Sequence, residues 1–140
     1  MFELWRKTRE LDRVTKFHDR KIKKARREKK SSDEVEFLIA DAAFETEMIE
    51  EEMSSIVTNR LHRKARHLFL PVPKFEEKGM WEQGRNMGHW YLTPNGITKI
   101  RGLIREETAA RRKAVLEWVA PFVGIIGAIT GLLAVIFAMT

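Results

Sequence analysis

Residues 31–60 read "SSDEVEFLIADAAFETEMIEEEMSSIVTNR", a run without Gly or Pro in which apolar side chains recur every seven residues. Val35, Ala42, Ile49 and Ile56 form one series, and Ile39, Thr46, Met53 and Arg60 form a companion series four residues on. That spacing predicts a helix with a heptad seam made by Val35, Ile39, Ala42, Ile49, Met53 and Ile56. Its start is marked as well: the Ser31 hydroxyl can cap the first turn, and Glu34, three residues later, completes a capping box.

A seam needs a partner, and the preceding segment supplies one. "FELWRKTRELDRVTKFHDRKIKKARREKK", residues 2–30, is built from good helix formers, with Leu4, Leu11, Val14, His18, Ile22 and Ala25 near one side. A turn near Lys30 sends it back along the second helix as an antiparallel hairpin. Charge follows the same division, with 13 basic and 5 acidic residues over 1–30 against 0 and 9 over 31–55. The register sets Arg26 near Glu36, Arg20 near Asp41, Lys16 near Glu47 and Arg13 near Glu50. In this reading much of the basic field is neutralised within the protein.

Beyond "RLHRKARHLFL" the chain changes character at "PVPKFEEKG", where Pro71 and Pro73 forbid a continuing helix. Two aromatic runs, Met80 to Gln83 and His89 to Leu92, flank "GRNMG", whose Gly and Asn tolerate positive φ; a small β-hairpin is expected. Thr93 then caps a third helix with Pro94 at its first position. Ile97, Ile100, Leu103 and Ile104 carry that helix forward without a strong break.

The last segment, "WVAPFVGIIGAITGLLAVIFAMT", residues 118–140, has no charged side chain. At about 1.5 Å per residue, such a helix is roughly 34 Å long, enough for a hydrocarbon core of about 30 Å. Arg111, Arg112 and Lys113 precede it and Trp118 stands at its edge, so the positive-inside rule keeps the body in the cytoplasm and puts an indole at headgroup level. A single-pass tail anchor is expected, with these four residues as its interfacial anchor. Gly124, Gly131 and Ala138 lie seven apart, and Gly127 and Ala134 interleave with them to give a small-residue stripe that favours helix association in lipid. Thr130 is the only polar side chain inside the span, which argues against a charge-selective channel.

The predicted organisation is therefore mainly α: a charged helical hairpin (1–70), a linker with a small β-hairpin (71–93), a juxtamembrane helix (94–117) and a transmembrane helix (118–140). No constellation for catalysis emerges. The chain has 140 residues and no cysteine, which excludes disulfides and thiolate metal sites. His62 and His67 are five apart and do not share a helix face as paired ligands would. The Arg60 and His67 pair and the Arg85 and His89 pair match a spacing found in some nucleases, yet no carboxylate accompanies them. Glu50, Glu51 and Glu52 read as the face opposing the first helix. Neither a Gly-rich phosphate loop nor a nucleophile elbow is present. No cofactor or metal is expected.

Two stretches resemble known families. "HWYLTPNGITKIR", residues 89–101, resembles the end of the wing in bacterial winged-helix regulators, where a similar "YxLTxxG" leads into the last helix. More broadly, Leu92, Thr93, Gly96, Arg101, Ile104 and Arg105 match an "LTxxGxxxLRxxIRxE" helix, with Ile100 standing where Leu is usual. With the basic run and the Gly-rich terminal span, that helix is similar to the C-terminal part of small uncharacterised bacterial tail-anchored membrane proteins. This resemblance implies a bacterial inner-membrane setting and no activity. The expected function is that of a non-enzymatic scaffold, adaptor or sensor that oligomerises on the bilayer and meets a cytoplasmic or membrane protein partner. A membrane-perturbing effector, toxin-like or defensive, is the second reading, and a membrane-tethered nucleic-acid binder is the third.

Overall fold

The computed structural model describes residues 2–138; within the last helix it leaves the side chains of 120, 123–129 and 131–138 undescribed. Three helices, α1 (Phe2–Arg27), α2 (Ser32–His67) and α3 (Pro94–Ala138), accompany two strands, β1 (Trp81–Gln83) and β2 (Trp90–Leu92). The chain divides into two compact units, Met1–Arg101 and Gly102–Thr140. The fold is mainly α, as the periodicity implied.

In the first unit α1 and α2 form the expected antiparallel hairpin. His18 and Ala25 are buried on α1 and Ile49 on α2, while Leu4, Leu11, Val14 and Ile22 are half-buried on the same side of α1. Ser31 is the N-cap of α2 and its Oγ accepts the Glu34 N–H at 3.3 Å. Only that half of the capping box is made, because the Glu34 carboxylate lies 3.7 Å from Lys30 Nζ instead. Both helices end the same way. The Lys30 N–H reaches Ala25 O (3.1 Å) and the Lys29 N–H reaches Arg26 O (3.2 Å), while Leu70 and Phe69 repeat the pattern on Ala65 and Arg66, each at 3.0 Å. The motif requires a left-handed residue, which here is Lys29 (φ 53°) and Phe69 (φ 57°) rather than glycine.

The seam itself differs from its expected form. Ile39 is 42% exposed, whereas Leu38 is half-buried and Glu45 and Glu52 hold ion pairs with α1. The companion series lies three residues on from Val35, Ala42 and Ile49, at Leu38, Glu45 and Glu52, which is the a-to-d step of the heptad, and not four residues on. Met53 remains half-buried. None of the four expected ion pairs forms among the described residues; Lys7 to Glu52 and His18 to Glu45 bridge the helices instead.

The strands pair antiparallel with Trp81 opposite Leu92, Glu82 opposite Tyr91 and Gln83 opposite Trp90. Each is one residue shorter than expected. Two strands alone are marginal in water, and α2 gives them a surface to pack on. The Leu92 N–H donates to Thr58 Oγ1 at 2.9 Å in a buried position, with Leu92 (2% exposed) and Ile100 (0%) filling the core beside it. Thr93 caps α3, its Oγ1 accepting the Gly96 N–H at 3.2 Å and donating to Gly79 O at 2.6 Å. In the second unit the helix simply continues.

Candidate functional site

Three places collect chemistry. The first lies inside the hairpin, where the His18 ring, 2% exposed, faces two carboxylates one turn apart on α2. Nε2 lies 2.9 Å from Glu45 Oε2, and Nδ1 lies 4.0 Å from Asp41 Oδ2 without a hydrogen-bond partner. Among the described residues this is the set able to offer three ligand atoms to a cation, all within 4.8 Å of one another. The 2.9 Å separation is that of a hydrogen bond between Nε2 and the Glu45 carboxylate. The sequence placed His18 on the inner stripe but set Asp41 opposite Arg20 and gave no sign of Glu45.

The second place is the junction of α2 with the β-hairpin. Glu51, 9% exposed, accepts the backbone N–H groups of Asn86 (3.1 Å) and Met87 (3.0 Å) and the Asn86 side-chain amide (3.4 Å). The Asn86 N–H is the main reason its carboxyl sits below the usual range, with Met87 adding to it against the opposing effect of burial. A Cβ on Gly84 would lie 2.5 Å from Glu51 Oε2, so the loop approaches the carboxylate too closely for any larger residue. This corrects the reading of Glu50, Glu51 and Glu52 as one face: Glu52 pairs with Lys7, Glu51 holds the loop and Glu50 is exposed. Three consecutive residues are about 100° apart and cannot share one partner. The legible signal was Glu51 and Thr58, polar and two turns apart, both receiving backbone N–H groups.

An aromatic cluster covers the other side of this module. Trp81 stacks on Phe75 at 4.5 Å and meets the His62 ring edge-on at 5.7 Å, while its Nε1 donates to Pro73 O at 3.1 Å. His62 titrates lower than an ordinary histidine, first because burial disfavours its charged form and second because Arg66 is near. His67 and His89 are exposed and stand apart from it. No catalytic base, acceptor and nucleophile meet in this cluster.

The third place is α3 ahead of the apolar tail. Arg111 Nε bonds Glu107 Oε1 at 2.6 Å, and Lys113 lies 3.8 Å from Glu117. One turn further the surface turns apolar: Val115 (62%), Leu116 (69%), Trp118 (73%) and Phe122 (51%) are all exposed, with Trp118 and Phe122 rings 5.2 Å apart. Arg111, Arg112, Lys113 and Trp118, the expected anchor residues, are all exposed along this stretch. Gly124, Gly127, Gly131, Ala134 and Ala138, the expected packing stripe, fall outside the residues whose side chains are described. Among the described residues no helix is long and apolar enough to cross a membrane; most of the apolar run expected to do so lies outside them.

No protein-family model matches the chain, and neither a curated protein nor a solved structure matches it.

Proposed function

We propose that the chain is a non-enzymatic, single-pass scaffold or adaptor, anchored by its C-terminal helix in the bacterial inner membrane and presenting the helical hairpin and β-hairpin module to a cytoplasmic protein partner. The observation that carries this reading is the exposed apolar group Val115, Leu116, Trp118 and Phe122 directly after Arg111, Arg112 and Lys113. Large apolar side chains exposed together mark a surface meant to be covered, and a charged-to-apolar boundary with an indole at its edge is what a bilayer interface covers. The uncharged stretch to Thr140 supplies the length to span it.

Association through Gly124, Gly127, Gly131, Ala134 and Ala138 makes the anchor an assembly element, because small residues let helix backbones approach closely in lipid. Two measurements test the proposal. Full-length chain in inner-membrane vesicles should resist alkaline extraction and expose its N-terminal body only on the cytoplasmic side; release into the soluble fraction would end the anchored reading. Gly127→Leu with Gly131→Leu should abolish crosslinked oligomers in bilayers, and unchanged crosslinking would remove the association role.

A further inference from the structure

We infer that the outer face of α1 is a docking surface for anionic lipid headgroups. The inner face of α1 is fixed by His18 and Ala25, buried, and Leu11, Val14 and Ile22, half-buried. At about 100° per residue, the opposite third of the helix carries Arg6, Arg9, Arg13, Lys16, Arg20 and Arg27, all exposed. Phe2 and Trp5 lie in the same sector, 73% and 51% exposed, and Phe17, 53% exposed, lies just beside it. Asp12 stands at the edge of this sector, and Glu3, Glu10 and Asp19 lie further round the helix. A 26-residue helix of mixed charge thus shows solvent a row, about 39 Å long, dominated by cations and aromatics, with Asp12 the acidic residue at its edge.

This row is not neutralised from within. The expected bridges from Arg13, Lys16, Arg20 and Arg26 to α2 do not form, and among the described residues none of Arg6, Arg9, Arg13, Lys16, Arg20 or Arg27 has an ion pair. The aromatic rings are organised with the cations: the Arg9 guanidinium lies 3.9 Å over Trp5, and Lys21 Nζ lies 4.4 Å over Phe17. A straight row of charge presents every member to a plane at once, which suits a bilayer surface. Basic residues near such a surface gain attraction from anionic lipid, while Trp and Phe enter the headgroup layer. A nucleic acid would meet the same cations through its phosphates, and competition by duplex DNA distinguishes it from lipid.

The inference rests on the membrane-anchored reading, which would hold α1 at high effective concentration over the lipid. The test uses the full chain inserted into preformed vesicles, and the absence of native cysteine permits a single label. A polarity-sensitive dye on Lys16→Cys should shift to a less polar signal in phosphatidylcholine vesicles containing phosphatidylserine, and not in pure phosphatidylcholine. The same dye on Glu36→Cys, on α2, should not shift in either. Arg9→Glu with Arg13→Glu and Arg20→Glu should reduce the shifted population roughly tenfold or more while the protein still floats with the vesicles. Flotation reads the anchor and the dye reads the face. Flotation with anionic vesicles alone would sink the anchor but support the face, whereas flotation with both and an unshifted dye would overturn the face and keep the anchor. A shift unaffected by the triple reversal, or one abolished by equimolar duplex DNA, would also overturn it.

Discussion

His18 Nε2 and Glu45 Oε2 meet at 2.9 Å across the helical hairpin, the imidazole buried at 2% exposure and the carboxylate reaching it from the solvent side. The pair favours one register of the hairpin, since a slip by one turn in either direction would leave only one of the two carboxylates, Asp41 or Glu45, beside the ring. A hydrogen bond to a charged group contributes about 1.5 to 3 kcal/mol when buried. The Glu45 side chain is 47% exposed, so solvent screening reduces this to about 1 kcal/mol. A double-mutant cycle with His18→Phe and Glu45→Gln, followed by urea denaturation, should return a coupling of about that size. A coupling near zero would show that the ring is held by packing alone.

The helices were legible in the sequence because caps and periodicity act locally: Ser31, Thr93 and Pro94 begin helices where their chemistry dictates. The hairpin followed from complementary stripes. What the sequence concealed was polar pairing inside it. Apolar counting favours Ile39 and Met53 for the seam, whereas Glu45 and Glu52 occupy the inner series, because partners on α1 satisfy them. Glu51 was hidden for the same reason, its partners being backbone N–H groups about 35 residues away. Neither side of such a bond announces itself in composition.

Phe69 adopts a left-handed conformation (φ 57°) with its side chain 91% exposed. A bulky side chain there costs roughly 1 to 2 kcal/mol and gains no packing in return. Phe69→Gly should therefore stabilise the fold by roughly 1 kcal/mol once the greater unfolded-state freedom of glycine is subtracted. Thermal denaturation checks this, and a fall in the midpoint would mean that the exposed ring has a contact the structure does not show. Lys29→Gly (φ 53°), at the equivalent cap of α1, should behave alike.

Gly96 is constrained by contact rather than by φ. A Cβ there would lie 2.5 Å from the Met80 carbonyl oxygen and 2.9 Å from Leu92 Cδ2. The first neighbour is backbone, in the residue whose carbonyl accepts the Thr93 N–H at 3.0 Å, so it cannot swing aside. Gly96→Ala should destabilise by roughly 1 to 3 kcal/mol as the helix start and the strand are pushed apart. Gly102, with open space around its would-be Cβ, supplies the control: Gly102→Ala should be neutral or stabilising through helix propensity. Equal losses at both positions would refute the steric account.

The Glu51 carboxylate and the 84–88 loop give a pH dependence of defined sign. Its pKa is lowered in the folded chain, chiefly by the Asn86 N–H, so between the folded and unfolded values the unfolded state binds more protons. The stabilisation is therefore complete above the ordinary Glu value of about 4.3 and is lost as the pH falls through the folded value. Glu51→Gln keeps the shape but turns an NH₂ group toward the Asn86 or Met87 N–H, setting donor against donor. The variant should be less stable than the parent at neutral pH, and the difference should shrink on acidification below about pH 4. Gly84→Ala, which drives a methyl group into the same carboxylate, should lose stability at neutral pH and flatten the acid response in the same way. Parallel acid-denaturation curves for parent and Glu51→Gln would show that the loop is held by something other than this charge.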